Sequence, residues 1–392
     1  MELLIQLVII ILATKIAGYI ATKFGQPSVL GEIIVGIIIG PAILGLVESN
    51  GKDDLIHTFS ELGVIFLMFF AGLETNLKDL TLNLKSALTV ASFGVVLPLI
   101  GGYLVGIGFG MDPSHSLFLG IVLTATSVSI SVQTFRELGQ MNTRESATVL
   151  GAAIADDIIG LILLAIVMSI TVGGDTSIPI VLLKQVAFFA AIVICNWKVV
   201  PAISKTIDKF KIPDLSMVFA VVLCFSYAYF AEFMGISNII GAFFAGLSLA
   251  NDKHREQFED KLLPSVSVIF IPVFFTSIGL SVTFNGIGDH IWLIIILCVV
   301  SVLTKVIGAG FGAKITGFNM LSSTLIGTAM VSRGEVALIT SSIGFTHGLF
   351  SQEYYTPMII AVVFTTVVTP PLLKICITKK DQHAAKQAHA TH

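Results

Sequence analysis

Residues Ala147–Val172 read ATVLGAAIADDIIGLILLAIVMSITV, an apolar run with two adjacent aspartates, Asp156 and Asp157, at its centre. The run is long enough to cross a bilayer, which needs about 20 mostly apolar residues in a helix. A carboxylate at that depth is costly. It persists where it is paired, faces an internal cavity, or does work. This one stretch therefore points to a membrane bundle with a polar interior.

The whole chain agrees. Of its 392 residues, 55% are hydrophobic and only 12% charged, against about 25% charged residues in an ordinary soluble domain. Mean hydropathy is +0.95. So little charge cannot cover a soluble globule, and the near-neutral net charge of −3 offers no footprint for nucleic acid. Thirteen spans are expected, at 3–22, 28–47, 57–76, 86–109, 115–134, 147–172, 178–196, 215–234, 236–250, 263–283, 291–313, 321–345 and 357–376. The first begins Met1-Glu2, carries Lys15 and ends without a small-residue cleavage site, so it reads as a retained helix. Cys195, Cys224, Cys298 and Cys376 lack metal-ligand spacing and read as small buried hydrophobes.

Alternate loops divide the cations unevenly. With the N-terminus outside, Lys52 is the one cation of the outer loops, and Lys15, Lys184, Lys305 and Arg333 lie within spans. All the other Lys and Arg side chains fall on the inner side, which the positive-inside rule assigns to the cytoplasm. A cytoplasmic C-terminus follows. The polar tail after residue 378 is too short to fold alone, so any cytosolic regulator is expected to be a separate chain.

Three short matches recur in order. Gly31–Gly36 resembles Gly241–Gly246 at an offset of 210, Phe69–Leu73 resembles Thr276–Leu280 at 207, and Thr124–Thr126 resembles Thr328–Met330 at 204. They pair spans 1–6 with spans 8–13 and leave span 7 as a connector. That spacing implies two inverted six-span repeats, an arrangement of secondary transporters whose sites lie between the halves near the midplane.

Five ionisable groups lie mid-span: Asp156, Asp157, Lys305, Arg333 and Glu335. Three carboxylates face two cations, so one carboxylate is left over if all are charged. Such a group takes up a proton or a cation, one at a time, which is the physical core of proton/cation exchange. Consecutive helix residues point about 100° apart, so one aspartate can meet a structural partner while the other faces a cavity. Span 5 reads Thr124-Ala-Thr-Ser-Val-Ser-Ile-Ser131 and span 12 contains Ser332-Arg-Gly-Glu335. Interrupted helices at corresponding positions point to a substrate site, and their hydroxyls and carbonyls suit a small hard cation. Arg333 and Glu335 read as a charge pair or as compensators of helix ends. Glu32, Glu74 and Glu232, near span ends, read as snorkelling or gating groups, the snorkelling reading being favoured.

In this order, Gln26-Pro-Ser-Val-Leu-Gly31, Phe70-Ala-Gly-Leu-Glu74, Thr124-Ala-Thr-Ser127, Ala155-Asp-Asp157 and Ser332-Arg-Gly-Glu335 give the chain its resemblance to bacterial monovalent cation:proton antiporters of the second type, of the NapA and GerN sort. The resemblance spans essentially the whole length. It implies an all-α bundle of about 13 helices, with two inverted six-helix repeats, a linker helix, and discontinuous crossing helices at spans 5 and 12. Residues 1–83 and 212–287 would form a panel that dimerises. Residues 84–175 and 288–378 would form a mobile core, with the linker helix and a cytoplasmic loop at 176–211 and a short tail at 379–392. The transported ion, Na+ and also Li+, would bind Asp157 with help from Asp156, Thr126 and Ser127, and Lys305 would pair with Asp156, as a structural counterion or with a direct role in proton transfer. Transport would be an elevator-like movement of the core, and the Asp-Asp pair is the form linked with electrogenic exchange. The resemblance further implies a homodimer in a bacterial inner membrane, with no cofactor and no nucleic-acid partner. No large C-terminal nucleotide-binding domain is present, which weakens but leaves open a potassium-efflux subunit; a K+/H+ or Na+/H+-K+ exchanger is the nearer alternative.

Two other classes fit less well. An intramembrane aspartyl protease needs two aspartates facing each other from separate helices, whereas Asp156 and Asp157 are adjacent on one span. A channel needs a ring or filter open to both sides.

Overall fold

The computed structural model describes residues 2–47, 55–171, 178–207, 209–210, 212, 214–282, 290–346 and 352–390, and among them the chain is helical with no strand. In chain order the helices are α1 (Glu2–Lys23), α2 (Ser28–Ile39), α3 (Leu55–Glu74), α4 (Leu77–Leu82), α5 (Leu84–Gly108), α6 (Pro113–Thr124), α7 (Val128–Glu137), α8 (Arg144–Thr171), α9 (Ile178–Ile194) and α10 (Val200–Ile207). They continue with α11 (Leu215–Phe233), α12 (Asn238–Leu249), α13 (Arg255–Gln257), α14 (Leu263–Leu280), α15 (Ile291–Ile315), α16 (Met320–Ala329), α17 (Glu335–Thr346) and α18 (Gln352–Ala390). Among the described residues, ten helical stretches are long and apolar enough to cross a membrane, and Ser28–Ile39, Asn238–Leu249 and Met320–Ala329 are shorter apolar helices.

Several boundaries differ from those read off hydropathy. α2 stops at Ile39 rather than running to 47, because Pro41 disfavours the helical region for Gly40, which is extended at φ −79°, ψ −176°. The linker helix does not end at 196; it continues through a π-helical turn, Cys195–Val199, into α10. α14 passes through Pro272 and α18 through Pro370 and Pro371 without ending. Neighbouring helices make this tolerable in a bundle: α14 lies against α2 and α3, and α18 against α15 and α16. α18 also carries the helix beyond the expected end at 376, so the tail at 379–390 extends it.

Packing sorts the helices into two groups. α1, α2, α3, α11, α12 and α14 pack on one another, as do α5, α6, α8, α15, α16 and α18. The groups meet chiefly where α7 touches α2 and α3 and where α18 touches α2.

The closest helix approaches recur in pairs. A Cβ at Gly31 would run into the carbonyl of Ala17, and one at Gly241 into that of Tyr227, glycine and carbonyl being displaced along the chain by the same amount. Gly36 lies against the Thr276 carbonyl and Gly246 against that of Phe69. Gly120 lies against Leu99 and Gly327 against Val306, again with both members displaced equally. In lipid, helices associate by such close van der Waals contact between small residues, so the glycines that matched in sequence are those where backbones touch.

Candidate functional site

Two chain breaks cross at the centre of the second group. After Thr124 the backbone turns extended at Ala125 (φ −55°, ψ 135°) and Ser127 (φ −92°, ψ 107°) before α7 begins. The second break separates Ala329 from Glu335. Each break satisfies the other: the Ser127 N–H donates to the Ser332 carbonyl at 2.8 Å, and the Ser332 hydroxyl donates to the Ser127 carbonyl at 2.7 Å. A Cβ at Gly334 would stand 2.8 Å from Ser127 Cβ, so a larger residue there would push the two breaks apart.

Broken helices leave carbonyls without intrahelical donors. Arg333, fully buried, answers those at the end of α6. Its Nη2 donates to the Leu123 carbonyl at 2.6 Å and its Nε to the same oxygen at 3.2 Å. It also reaches the carbonyls of Ser301 at 3.3 Å and Val331 at 3.1 Å. The guanidinium thus sits at the negative end of a helix dipole. Thr366 donates to the Arg333 carbonyl. At the end of α16 the corresponding task falls to a neutral group, the Ser131 hydroxyl, 2.5 Å from the Ala329 carbonyl. The compensating role expected of Arg333 is what its contacts describe; the side chain of Glu335 lies outside the described residues.

Beside the crossing, Asp156 from α8 meets Lys305 from α15. Nζ lies 3.0 Å from Oδ2, with the two side chains 0% and 1% exposed. The Thr126 hydroxyl, from the first break, donates to the same Oδ2. The other oxygen, Oδ1, is buried and has no hydrogen-bond partner. Gly94 on α5 faces the Lys305 ammonium, and a Cβ there would already be 3.9 Å from Nζ. Asp157, next along α8, is only half-buried, yet it is near enough to act on Lys305 electrostatically. The two adjacent acids are thereby unlike: one locked to a buried ammonium, one partly open at the edge of the packed group.

The span-5 hydroxyls divide their work. Thr124 bonds back to the Ile121 carbonyl, Ser127 and Ser129 share a contact at 2.9 Å, Ser131 caps α16 and Thr126 serves Asp156. Of the four residues expected round the ion, Asp156 and Thr126 meet at one carboxylate oxygen, where Lys305 joins them as the expected partner of Asp156. Ser127 is tied instead to the second break through its backbone.

Sequence reasoning missed the charges at one end of the bundle. Glu74, read as a snorkelling group, receives Arg136 Nη2 at 2.6 Å, which ties α3 to α7. Glu137 binds the N-terminus of α2 at Ser28. Glu145 takes Lys380 at 2.6 Å and the Ser322 hydroxyl at 2.5 Å, joining α8, α18 and α16. These partners are far apart in the chain, so no local spacing reveals them; the one available signal was that each acid stands at a span end.

Comparison with known proteins agrees over the full length. The model of a family described as sodium/hydrogen exchanger, transmembrane, matches residues 8–379. A Na+/H+-K+ antiporter of Bacillus cereus, GerN, is 49% identical over 381 residues, covering 97% of this chain and 98% of that protein. A Na+/H+ antiporter of Enterococcus hirae is 39% identical, covering 97% and 99%. The solved structure of the sodium proton antiporter MjNhaP1 from Methanocaldococcus jannaschii superposes with a TM-score of 0.70 at 15% identity, over 95% of this chain and 96% of that one, a likeness of fold.

Proposed function

The chain belongs to the sodium/hydrogen exchanger family and is a membrane antiporter rather than an enzyme, and we propose that it exchanges protons for sodium and lithium at Asp157. The observation that carries this reading is the inequality of the two aspartates. Lys305 neutralises Asp156 inside the bundle, so the half-buried Asp157 beside it can hold a proton or a cation but not both. Asp156 Oδ1, which has no hydrogen-bond partner, and the Thr126 hydroxyl at Oδ2 supply hard oxygens at the neighbouring residue, and the resemblance adds Ser127.

A second proton enters through Lys305. A cation drawn to Asp156 Oδ1 competes with the ammonium for the carboxylate and favours its neutral form. More than one proton then moves per sodium, and exchange is electrogenic. The group carrying the crossing moves as a unit against the group of α1–α3, α11, α12 and α14, in the manner of an elevator. Support comes from the thin contact between the two groups and from the recurrence of the same close approaches in both halves, as in an inverted repeat. The cation bias of the loops supports an outer N-terminus and a cytoplasmic C-terminus in a bacterial inner membrane. Homodimerisation through the first group follows from the resemblance.

Potassium is a second reading, favoured by the name of the Bacillus cereus relative. Purified protein in proteoliposomes with an imposed proton gradient, given Na+, Li+ or K+ across a range of pH, tests both. Sodium and lithium are expected to discharge the gradient, faster when membrane potential favours net proton movement. Discharge by potassium alone would transfer the assignment to K+/H+ exchange, and voltage-insensitive exchange would remove the electrogenic reading.

A further inference from the structure

We propose that Arg136 and Glu137, at the end of α7, form a latch that holds the moving group against α2 and α3 and opens once in each transport cycle; this rests on the domain movement proposed above. The two neighbours reach apart. Arg136 Nη2 lies 2.6 Å from Glu74 Oε1 at the end of α3, with its guanidinium 5.7 Å from the centre of the Phe70 ring. Glu137 accepts the Ser28 backbone N–H at 2.6 Å through Oε2 and the Ser28 hydroxyl at 2.7 Å through Oε1. Pro27, preceding α2, makes no side-chain cap. A carboxylate from another helix therefore supplies the negative charge that the N-terminus of α2 favours.

The setting separates this contact from ordinary surface pairing. α7 is continuous with the first chain break at Ser127, so a force on the latch acts directly on the crossing. Gln133, one turn inward, donates to Glu137 Oε1 at 2.9 Å and aims the carboxylate, while its own Oε1 is buried without a hydrogen-bond partner. Glu32 on α2 is near enough to both Glu137 and Lys15 of α1 to interact with them electrostatically at this end of the helix. Arg136 and Glu137 thus join α7 to both helices of the first group that it touches. The loop charges support a cytoplasmic position for this end.

A Ser28→Cys, Glu137→Cys double variant bridged by a short bifunctional thiol reagent tests the opening step, with each single variant as control. Turnover in proteoliposomes is expected to fall at least about tenfold on bridging and to return when the bridge is cleaved. Arg136→Gln with Glu137→Gln, which removes both contacts without a bridge, is expected to change the apparent affinity for cation on the cytoplasmic face by about tenfold relative to the other face, as a shifted population requires. Full turnover in verified bridged protein, or unchanged sidedness in the Gln variant, overturns the latch while leaving exchange intact. Absence of exchange in the unmodified protein removes both readings.

Discussion

α5 and α15 occupy corresponding stretches, Leu84–Gly108 and Ile291–Ile315, displaced at both ends by the offset that relates Phe69–Leu73 to Thr276–Leu280. Where α15 places Lys305, α5 has Pro98. The same offset carries Asp156 to Val363 and Asp157 to Phe364 on α18. Environments correspond even where chemistry does not: Val363 is buried like Asp156, and Phe364, at 41% exposure, stands at an edge like Asp157. The two halves share backbone packing and glycine contacts but not charge. A doubled fold thus provides two crossing breaks, while the paired aspartates are confined to one half. Arg333 supplies a fixed positive charge at the other half's break.

The comparison breaks most visibly at the charged positions of α8 and α15. Lys305→Met strands a buried carboxylate and should destabilise the protein by about 3–5 kcal/mol, seen as a lowered thermal midpoint in detergent. Adding Asp156→Asn should restore most of that loss, because removing both charges is far less costly than removing one. An additive double variant would show that the pair does not act as a unit.

The helix ends sharpen it next. Arg333→Gln removes charged bonds to the Leu123 and Ser301 carbonyls and should cost about 2–3 kcal/mol, against about 1 kcal/mol for Ser131→Ala at the Ala329 carbonyl. Equal losses in thermal or denaturant unfolding would contradict the asymmetry of the two breaks.

The smallest differences belong to the packing, where the halves should agree. Gly36→Ala and Gly246→Ala each press a methyl against a backbone carbonyl and should destabilise by about 1–3 kcal/mol, matching within error. A large disparity between their melting points would mean that the two approaches are not equivalent.

Much of this was legible before any coordinates. Hydropathy located the spans, and the repeated Gly31–Gly36 and Gly241–Gly246 stretches marked where helices touch. The isolation of Asp156, Asp157 and Lys305 in apolar runs marked them as a candidate site, since a charge there needs a reason, and Asp156 and Lys305 do meet as a buried pair. What stayed hidden depends on distance. Nothing local to Arg333 showed that its guanidinium bonds to the carbonyls of Leu123 and Ser301, on other helices. Glu74 gave no sign of Arg136, and Ser127, one of four oxygen-bearing groups expected at the ion, spends its backbone on Ser332. Helix ends also escaped: hydropathy ran α2 on to 47 because it does not register the backbone restriction at Gly40 and Pro41.

The central claim is that Asp157 carries the exchanged proton or cation while Asp156 is held by Lys305. Sodium-driven proton movement in proteoliposomes, compared between the unmodified protein and a folded Asp157→Asn variant, tests it most directly. The account predicts rapid exchange in the first and none above empty liposomes in the second; near-normal exchange by the variant would contradict it.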